Sequence, residues 1–277
     1  MRRTTAEKRA RFRALHAEGC FLLPNPWDAG SARLLQQLGF EAVASTSSGH
    51  AWTRGLPDYA VTRDMVLDHL TALAAAIDLP VNADFETGFA PTPDGLAENV
   101  RRAVATGIAG LSIEDRAVDA IASLSPLDVA VERIRAARAA IDATGEDVML
   151  VARTEGLLVG GTVAAAIDRL VAFAEAGADC LYAPGIGMAG RGTLEDIAAL
   201  VRAVAPLPVN VLVVGSGLGR DALAEAGVRR ISVGGALARV AWGAAVAAAE
   251  RLRVGDFAAL DEALPGRDLD AIFAGEG

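Results

Sequence analysis

The chain has 277 residues, 52% of them apolar, and carries a formal net charge of −9 at pH 7. That length and apolar content suffice for a large buried core, and the acidic balance argues against nucleic acid or an anionic membrane as a partner. No apolar run reaches the roughly 18–20 residues of a membrane span, and the polar, basic start from Met1 to Arg13 lacks the apolar core of a secretory leader, so a cytoplasmic protein is expected.

Taken in chain order, Met1 to Ala17 is helical in pattern and stops at Gly19. A first strand over Cys20 to Leu23 runs into Pro24-Asn25-Pro26-Trp27-Asp28, where Asp28 can cap a helix over Ala29 to Leu38. Strand two, Phe40 to Ala44, leads into a polar turn, Ser45-Thr46-Ser47-Ser48-Gly49-His50, and a loop through Gly55-Leu56-Pro57-Asp58. After a helix over Arg63 to Ile77, strand three ends in Asn82-Ala83-Asp84-Phe85-Glu86-Thr87-Gly88. A helix from Pro93 to Thr106 precedes strand four, Ala109 to Ile113, which ends in Glu114-Asp115-Arg116. Pro126 to Ala143 is helical, strand five is Val148 to Ala152, and Arg153-Thr154-Glu155 follows it. The pattern continues with a helix over Val163 to Ala176, strand six at Asp179 to Tyr182, a helix over Leu194 to Val204 and strand seven at Pro208 to Val214. A short helix near Asp221 to Ala226, strand eight at Arg229 to Val233 and a helix to about Arg253 complete it.

Eight short apolar strands alternating with helices predict an α/β fold, a (β/α)8 barrel over about residues 20–253 followed by a helical segment over 254–277, forming a single domain. A doubly wound open sheet is the alternative. The Ala-rich helix Ala236 to Leu252 has one charge, Arg239, before Glu250, so its surface is expected to be covered, either within the chain or by another subunit.

In a barrel, chemistry collects at the carboxyl ends of the strands. Those ends carry Asn25, Asp28, Ser45 to Gly49, Asn82, Asp84, Glu86, Glu114, Asp115, Arg153, Glu155, Tyr182, Asn210 and Gly234. A single acidic strand end is ordinary; two in consecutive units point to a divalent metal, and these oxygen donors suit Mg2+ or Mn2+. Arg153 can grip a carboxylate through two parallel bonds. The Thr46-Ser47-Ser48 turn offers hydroxyls and amides to an anionic oxygen. Together they describe a pocket for a small anionic 2-oxo acid whose enolate must be stabilised. The glycine-rich turns after strands seven and eight lack a lysine that would make them phosphate loops.

The rest of the composition narrows the chemistry. Lys8 is the only lysine and precedes the first strand, which leaves no Schiff-base amine for the pocket. Cys20 and Cys180 are the two cysteines, in apolar contexts without zinc-like spacing. Proton-donor candidates are therefore Glu155, Tyr182 and His50.

These motifs, in order and at these spacings, resemble the isocitrate lyase/phosphoenolpyruvate mutase superfamily over nearly the whole chain. They are Asn25 to Gly39 with Ser31-Ala32-Arg33, Thr46-Ser47-Ser48, Gly55-Leu56-Pro57-Asp58, Asp84-Phe85-Glu86-Thr87-Gly88, Ile113-Glu114-Asp115-Arg116 and Val151-Ala152-Arg153-Thr154-Glu155. The resemblance implies Mg2+ held directly or through water by Asp58, Asp84, Glu86 and Glu114. It implies a 2-oxo acid held by Thr46, Ser47, Ser48 and Arg153, with Asn210 at the substrate; Asn82, at the end of strand three, is a further substrate-binding candidate. It further implies a homodimer or homotetramer that exchanges its C-terminal helix. Two departures stand out: Glu86 replaces the second aspartate of the family's Asp-Ala-Asp-Thr-Gly, and the Lys-Arg-Cys-Gly-His loop of the isocitrate and methylisocitrate lyases is absent after Asp115. The expected activity is thus a Mg2+-dependent lyase, cleaving a C–C bond or decarboxylating an oxaloacetate-like substrate. The alternatives are a P–C bond enzyme of the phosphonomutase or phosphonopyruvate hydrolase type, and a 2-oxo-acid-binding protein with little turnover.

Overall fold

The structure is a computed structural model and describes residues 2–188 and 190–274. Its eight parallel strands are β1 (Phe21–Leu23), β2 (Val43–Ala44), β3 (Val81–Asp84), β4 (Gly110–Glu114), β5 (Met149–Arg153), β6 (Cys180–Tyr182), β7 (Val209–Leu212) and β8 (Arg230–Ser232). They pair in the order β1-β8-β7-β6-β5-β4-β3-β2. Across the remaining seam the Ala44 amide donates to the Pro24 carbonyl at 3.0 Å. The sheet is therefore a nearly closed (β/α)8 barrel, and the open-sheet alternative falls.

Alternation along each strand divides its residues between two environments. Leu111, Leu150, Ala152, Leu181, Val209 and Val211 are fully buried in the main apolar core. Their neighbours Ser112, Val151, Tyr182 and Asn210 point the other way, into the barrel. Threonines fix the helix starts: the side chains of Thr46, Thr62, Thr92, Thr162 and Thr193 each accept the amide three residues on.

The N-terminal helix Thr5–Ala17 closes the floor. Phe12, 0% exposed, packs with Phe21, Leu23, Ala42, Ala44, Ala109 and Met149. A Cβ at Gly110 would stand 2.7 Å from the Phe12 ring and 2.8 Å from Asn82 Oδ1, so only glycine lets that helix seat. Barrel strands tilt and stagger, so a row of hydrogen-bonded neighbours descends from rim to floor. One such row is Glu114, Arg153, Tyr182, Asn210, Arg230 and Phe21.

One expectation changes, one segment gains structure the sequence did not suggest, and one alternative falls. The polar turn after β2 is instead the start of a helix, Ser47–Thr53, with Thr46 as its cap. The segment after β4 is an antiparallel hairpin of Arg116–Ala117 with Ala120–Leu124. The helix Ala236–Leu252 is not covered within the chain: Val240 is 70% exposed, Trp242 48% and Val246 54%. Farther on, Gly266–Ala274 packs back on the helix Ala29–Gln37, where Arg33 Nη1 donates to the Phe273 carbonyl at 3.0 Å.

Candidate active site

A cavity of about 170 Å³ enters the barrel from the carboxyl ends of the strands. Arg153 at the end of β5 is its centre. Nη1 reaches Asp84 Oδ1 at 3.3 Å and Glu114 Oε2 at 3.6 Å, while Nε donates to Glu155 Oε1. The Tyr182 ring lies 5.3 Å from the guanidinium carbon, within cation–π range. Burial disfavours the cation, yet the carboxylates of Glu155, Glu114 and Asp84 outweigh it and hold Arg153 firmly protonated.

Around this cation the carboxylates crowd. Glu114 accepts from the Tyr59 hydroxyl at 2.9 Å. Burial pushes its pKa up to about 8 against the pull of Arg153, with Glu155 and Asp84 adding to the rise. Glu86 is pushed up to about 9 by burial and then by Asp84, Glu114 and Asp58. Its Oε1 is buried and has no partner. Asp58 is raised by burial and by Asp84, while the Ser47 hydroxyl and Tyr59 amide offset part of that. Tyr59 and Glu86 also hold left-handed backbone, with φ of 63° and 47°. Such conformations cost non-glycine residues on the order of 1–3 kcal/mol, the kind of strain that persists at functional sites.

A divalent ion fits this donor set. Asp58, Asp84, Glu86 and Glu114 offer hard oxygens, one of them orphaned, and their mutual repulsion is what a cation relieves. Among the described residues no three ligating side chains converge tightly enough to hold an ion by direct bonds alone. An ion held by these residues would take water for the rest of its shell, as Mg2+ commonly does.

The other expected residues divide into those the structure brings here and those it does not. Thr46, Ser47, Ser48, Asp58, Asn82, Asp84, Arg153, Tyr182 and Asn210 all line the cavity. The Ser47 amide is already committed to Asp84 Oδ2 at 3.1 Å. Glu86 opens instead onto a neighbouring cleft with Tyr59 and Thr87. Glu155 is 0% exposed and lies between two guanidiniums, with Arg116 Nε and Nη2 donating to its Oε2 at 3.0 and 2.9 Å. That is the position of a group holding Arg153, not of a free base. His50 lies off the cavity, stacked on His69 at 3.9 Å between ring centroids. The proton-donor role considered for it finds no support in this placement.

The family model described as phosphoenolpyruvate phosphomutase matches residues 12–253. The chain belongs to the isocitrate lyase/phosphoenolpyruvate mutase superfamily. Within this superfamily it is 33% identical over 237 residues to the oxaloacetate decarboxylase of Pseudomonas aeruginosa PAO1, covering 80% of this chain and 77% of that one. It is 34% identical over 179 residues to the 2-methylisocitrate lyase of Escherichia coli K12, covering 62% and 60%. Among solved structures, a Burkholderia cenocepacia J2315 protein assigned only broadly, as a lyase/mutase, superposes with a TM-score of 0.92 at 47% identity, over 98% of this chain and 97% of that one.

The sequence did not single out Ser112, Ser232 or Arg230 as site residues, and Tyr59 and Arg116 were given no role. Tyr59 and Arg116 adjoin predicted ligands, so adjacency was the available signal. For Ser112 and Ser232 the signal was parity, Ser112 sharing a strand face with Glu114.

Proposed function

We propose that this protein is a Mg2+-dependent lyase that breaks a C–C bond of a small 2-oxo acid, by cleavage or decarboxylation, through an enolate. The observation carrying this reading is the placement of Arg153 with Asp58 and Asp84 on one cavity lining, with Glu114 buried 3.6 Å from the same guanidinium. A bound ion would polarise the carbonyl beside the breaking bond. Arg153, locked by Glu155 and Asp84, offers a fixed fork to the acid's carboxylate. Tyr182, its pKa raised to about 12 mainly by burial, keeps its proton at neutral pH and can return one to the enolate carbon. No lysine or cysteine lines the cavity, which suits a reaction driven by charge stabilisation without a covalent adduct.

The exposed apolar face of Ala236–Leu252, with Trp242 and Val246, supports a homodimer or homotetramer in which C-terminal helices are exchanged. No helix of the described residues is long and apolar enough to cross a membrane.

The test is direct. Purified protein with Mg2+ is offered oxaloacetate, 2-methylisocitrate and phosphonopyruvate, with and without EDTA. Chelator-sensitive pyruvate formation from oxaloacetate, above the rate with Mg2+ and no protein, supports the 2-oxo-acid lyase; pyruvate from 2-methylisocitrate, a 2-hydroxy acid, would keep a lyase and change its substrate class. Phosphate release from phosphonopyruvate alone would move the assignment to P–C chemistry. Ligand binding without product would make the protein a 2-oxo-acid-binding protein.

A further inference from the structure

The loop that carries Glu86 is restrained from behind. Just past the end of β3, three of its residues take left-handed backbone: Glu86 with φ of 47°, Gly88 with 81° and Phe89 with 57°. Glycine suits that region, whereas the side chains of Glu86 and Phe89 disfavour it, so the surroundings must hold it. Arg133, on the helix Leu127–Asp142, is 3% exposed and donates to the Thr87 carbonyl through Nη2 and to the Pro91 carbonyl at 3.3 Å through Nη1. Asn99, on the helix Pro93–Ala105, is buried equally, and its Nδ2 donates to the carbonyls of Gly88 at 2.9 Å and Phe89 at 3.3 Å. Two side chains thus take four carbonyls of one short loop. The carbonyl of Glu86 itself accepts from the Glu114 amide at 3.0 Å.

The clamp fixes the backbone of Glu86 and leaves its carboxyl alone. Oε1 of Glu86 is buried and has no partner. A loop free to relax would turn that oxygen toward a local donor, since a buried acceptor left unpaired is costly. Arg133 is itself costly to bury: its hydrogen bonds run to main-chain carbonyls alone, and burial lowers its pKa. Neither Arg133 nor Asn99 lines the catalytic cavity or the cleft onto which Glu86 opens. We propose that Arg133, together with Asn99, is a positioning residue for the divalent ion, holding the Thr87–Pro91 carbonyls so that the Glu86 carboxyl stays aimed and unpartnered. This rests on the Mg2+ reading above and adds the residues that aim one of its ligands.

The test reads Mg2+ affinity of the substrate-free protein by titration calorimetry, beside the Tm of the metal-free protein. Arg133→Met keeps the stem and removes the donors; it should weaken Mg2+ binding about tenfold, the scale for groups that orient a metal ligand. Arg133→Lys should recover part of the loss, and Asn99→Ala should act in the same direction as Arg133→Met. Arg9→Met is the control for lost stability. Arg9 is also 3% exposed and donates to the carbonyls of Val104 and Ile108 at the floor, so its loss should lower Tm and leave Mg2+ affinity unchanged. The deciding comparison is the double variant: Glu86→Gln with Arg133→Met should bind Mg2+ no more weakly than Glu86→Gln alone, because the clamp acts through that carboxyl. Wild-type affinity in Arg133→Met, or a loss that reappears in full in the Glu86→Gln background, overturns the positioning role and leaves the Mg2+ reading standing. Unchanged affinity in Glu86→Gln removes the ligand and the proposal with it, and a wild-type protein that binds no Mg2+ overturns the metal reading itself. Should Arg133→Met not fold, Arg133→Lys and Asn99→Ala carry the same comparison; if no variant of either residue folds, the clamp serves folding and the proposal is overturned.

Discussion

Two arginines on one descending row of the barrel are treated in opposite ways. Arg153 at the rim is surrounded by Asp84, Glu114 and Glu155, whereas Arg230 at the floor meets only Asn210, Asn82 and His16. The rim has more negative charge than its guanidiniums neutralise: Asp58, Asp84, Glu86, Glu114 and Glu155 face Arg153 and Arg116. The floor has positive charge with nothing opposite. Each end is thus unbalanced in the protein alone, and in opposite senses: negative at the rim, positive at the floor. A barrel interior built for stability alone would be filled with branched apolar side chains.

The sharpest way to break this contrast is at the rim. Arg153→Gln removes the cation that both grips the carboxylate and screens the surrounding acids. Activity on the best substrate should fall on the order of 10²–10³-fold or more. Stability of the metal-free protein should also drop, by about 1–3 kcal/mol, because Glu155 loses one of its two guanidiniums and keeps only Arg116. Chemical denaturation read beside the kinetics checks both; an enzyme that keeps its activity would remove Arg153 from the mechanism. Next in size is Asp115→Asn. Asp115 accepts from Thr154 Oγ1 at 2.7 Å, from the Glu155 amide at 2.8 Å and from Arg169 Nε at 2.7 Å, so it fixes the turn that presents both Arg153 and Glu155. Losing one member of this buried pair should cost about 3 kcal/mol in denaturant unfolding, with a smaller loss of kcat than the Arg153 variant.

Glu86→Gln separates charge from shape. With its pKa at about 9, Glu86 is protonated at neutral pH when no ion is present, and glutamine imitates that form. Metal-free stability at pH 7 should therefore stay within about 1 kcal/mol of wild type, while Mg2+ affinity, followed by calorimetry, weakens on the order of tenfold. Unchanged affinity would remove Glu86 from the ion's surroundings.

How far the sequence reveals these two ends differs for a physical reason. The barrel was legible because its strands are apolar runs bounded by glycine and proline. The rim was legible because carboxylates at strand ends break that pattern abruptly, as at Asp84 and Glu114. The helix Ser47–Thr53 was not, since serine, glycine and histidine have poor helix propensity and the cap by Thr46 decides the matter. The roles of Glu155 and His50 needed geometry: an acid two residues from an arginine can be a base or a brace, and only the contact with Arg116 distinguishes them. Arg230 stayed hidden because an arginine opening a three-residue strand reads as a surface residue. Its burial follows from the stagger of the barrel and from the N-terminal helix sealing the floor, neither of which local pattern encodes.

The smallest expected effect distinguishes the two ends by pH. At the rim, Glu86 and Glu114 have folded pKa values raised to about 9 and about 8. In the metal-free protein the stability this lends is complete below their unfolded values near 4.5 and is lost as pH rises through 8 and 9. At the floor the sign reverses. Burial, and then Arg230, lowers the His16 pKa to about 3. The unfolded chain therefore binds the extra proton between pH 6.5 and 3, and stability falls as pH drops through that window, by up to about 1.4 kcal/mol per pH unit. His16→Phe should flatten the acid limb by that amount between pH 6.5 and 5 in denaturant titrations, even though it lowers stability at pH 7.5 by stripping Arg230 of an acceptor. Mg2+ should flatten only the alkaline limb. An acid limb unchanged in His16→Phe would mean that His16 is not held neutral against Arg230, and the floor would then lose one of the features that set it apart from the rim.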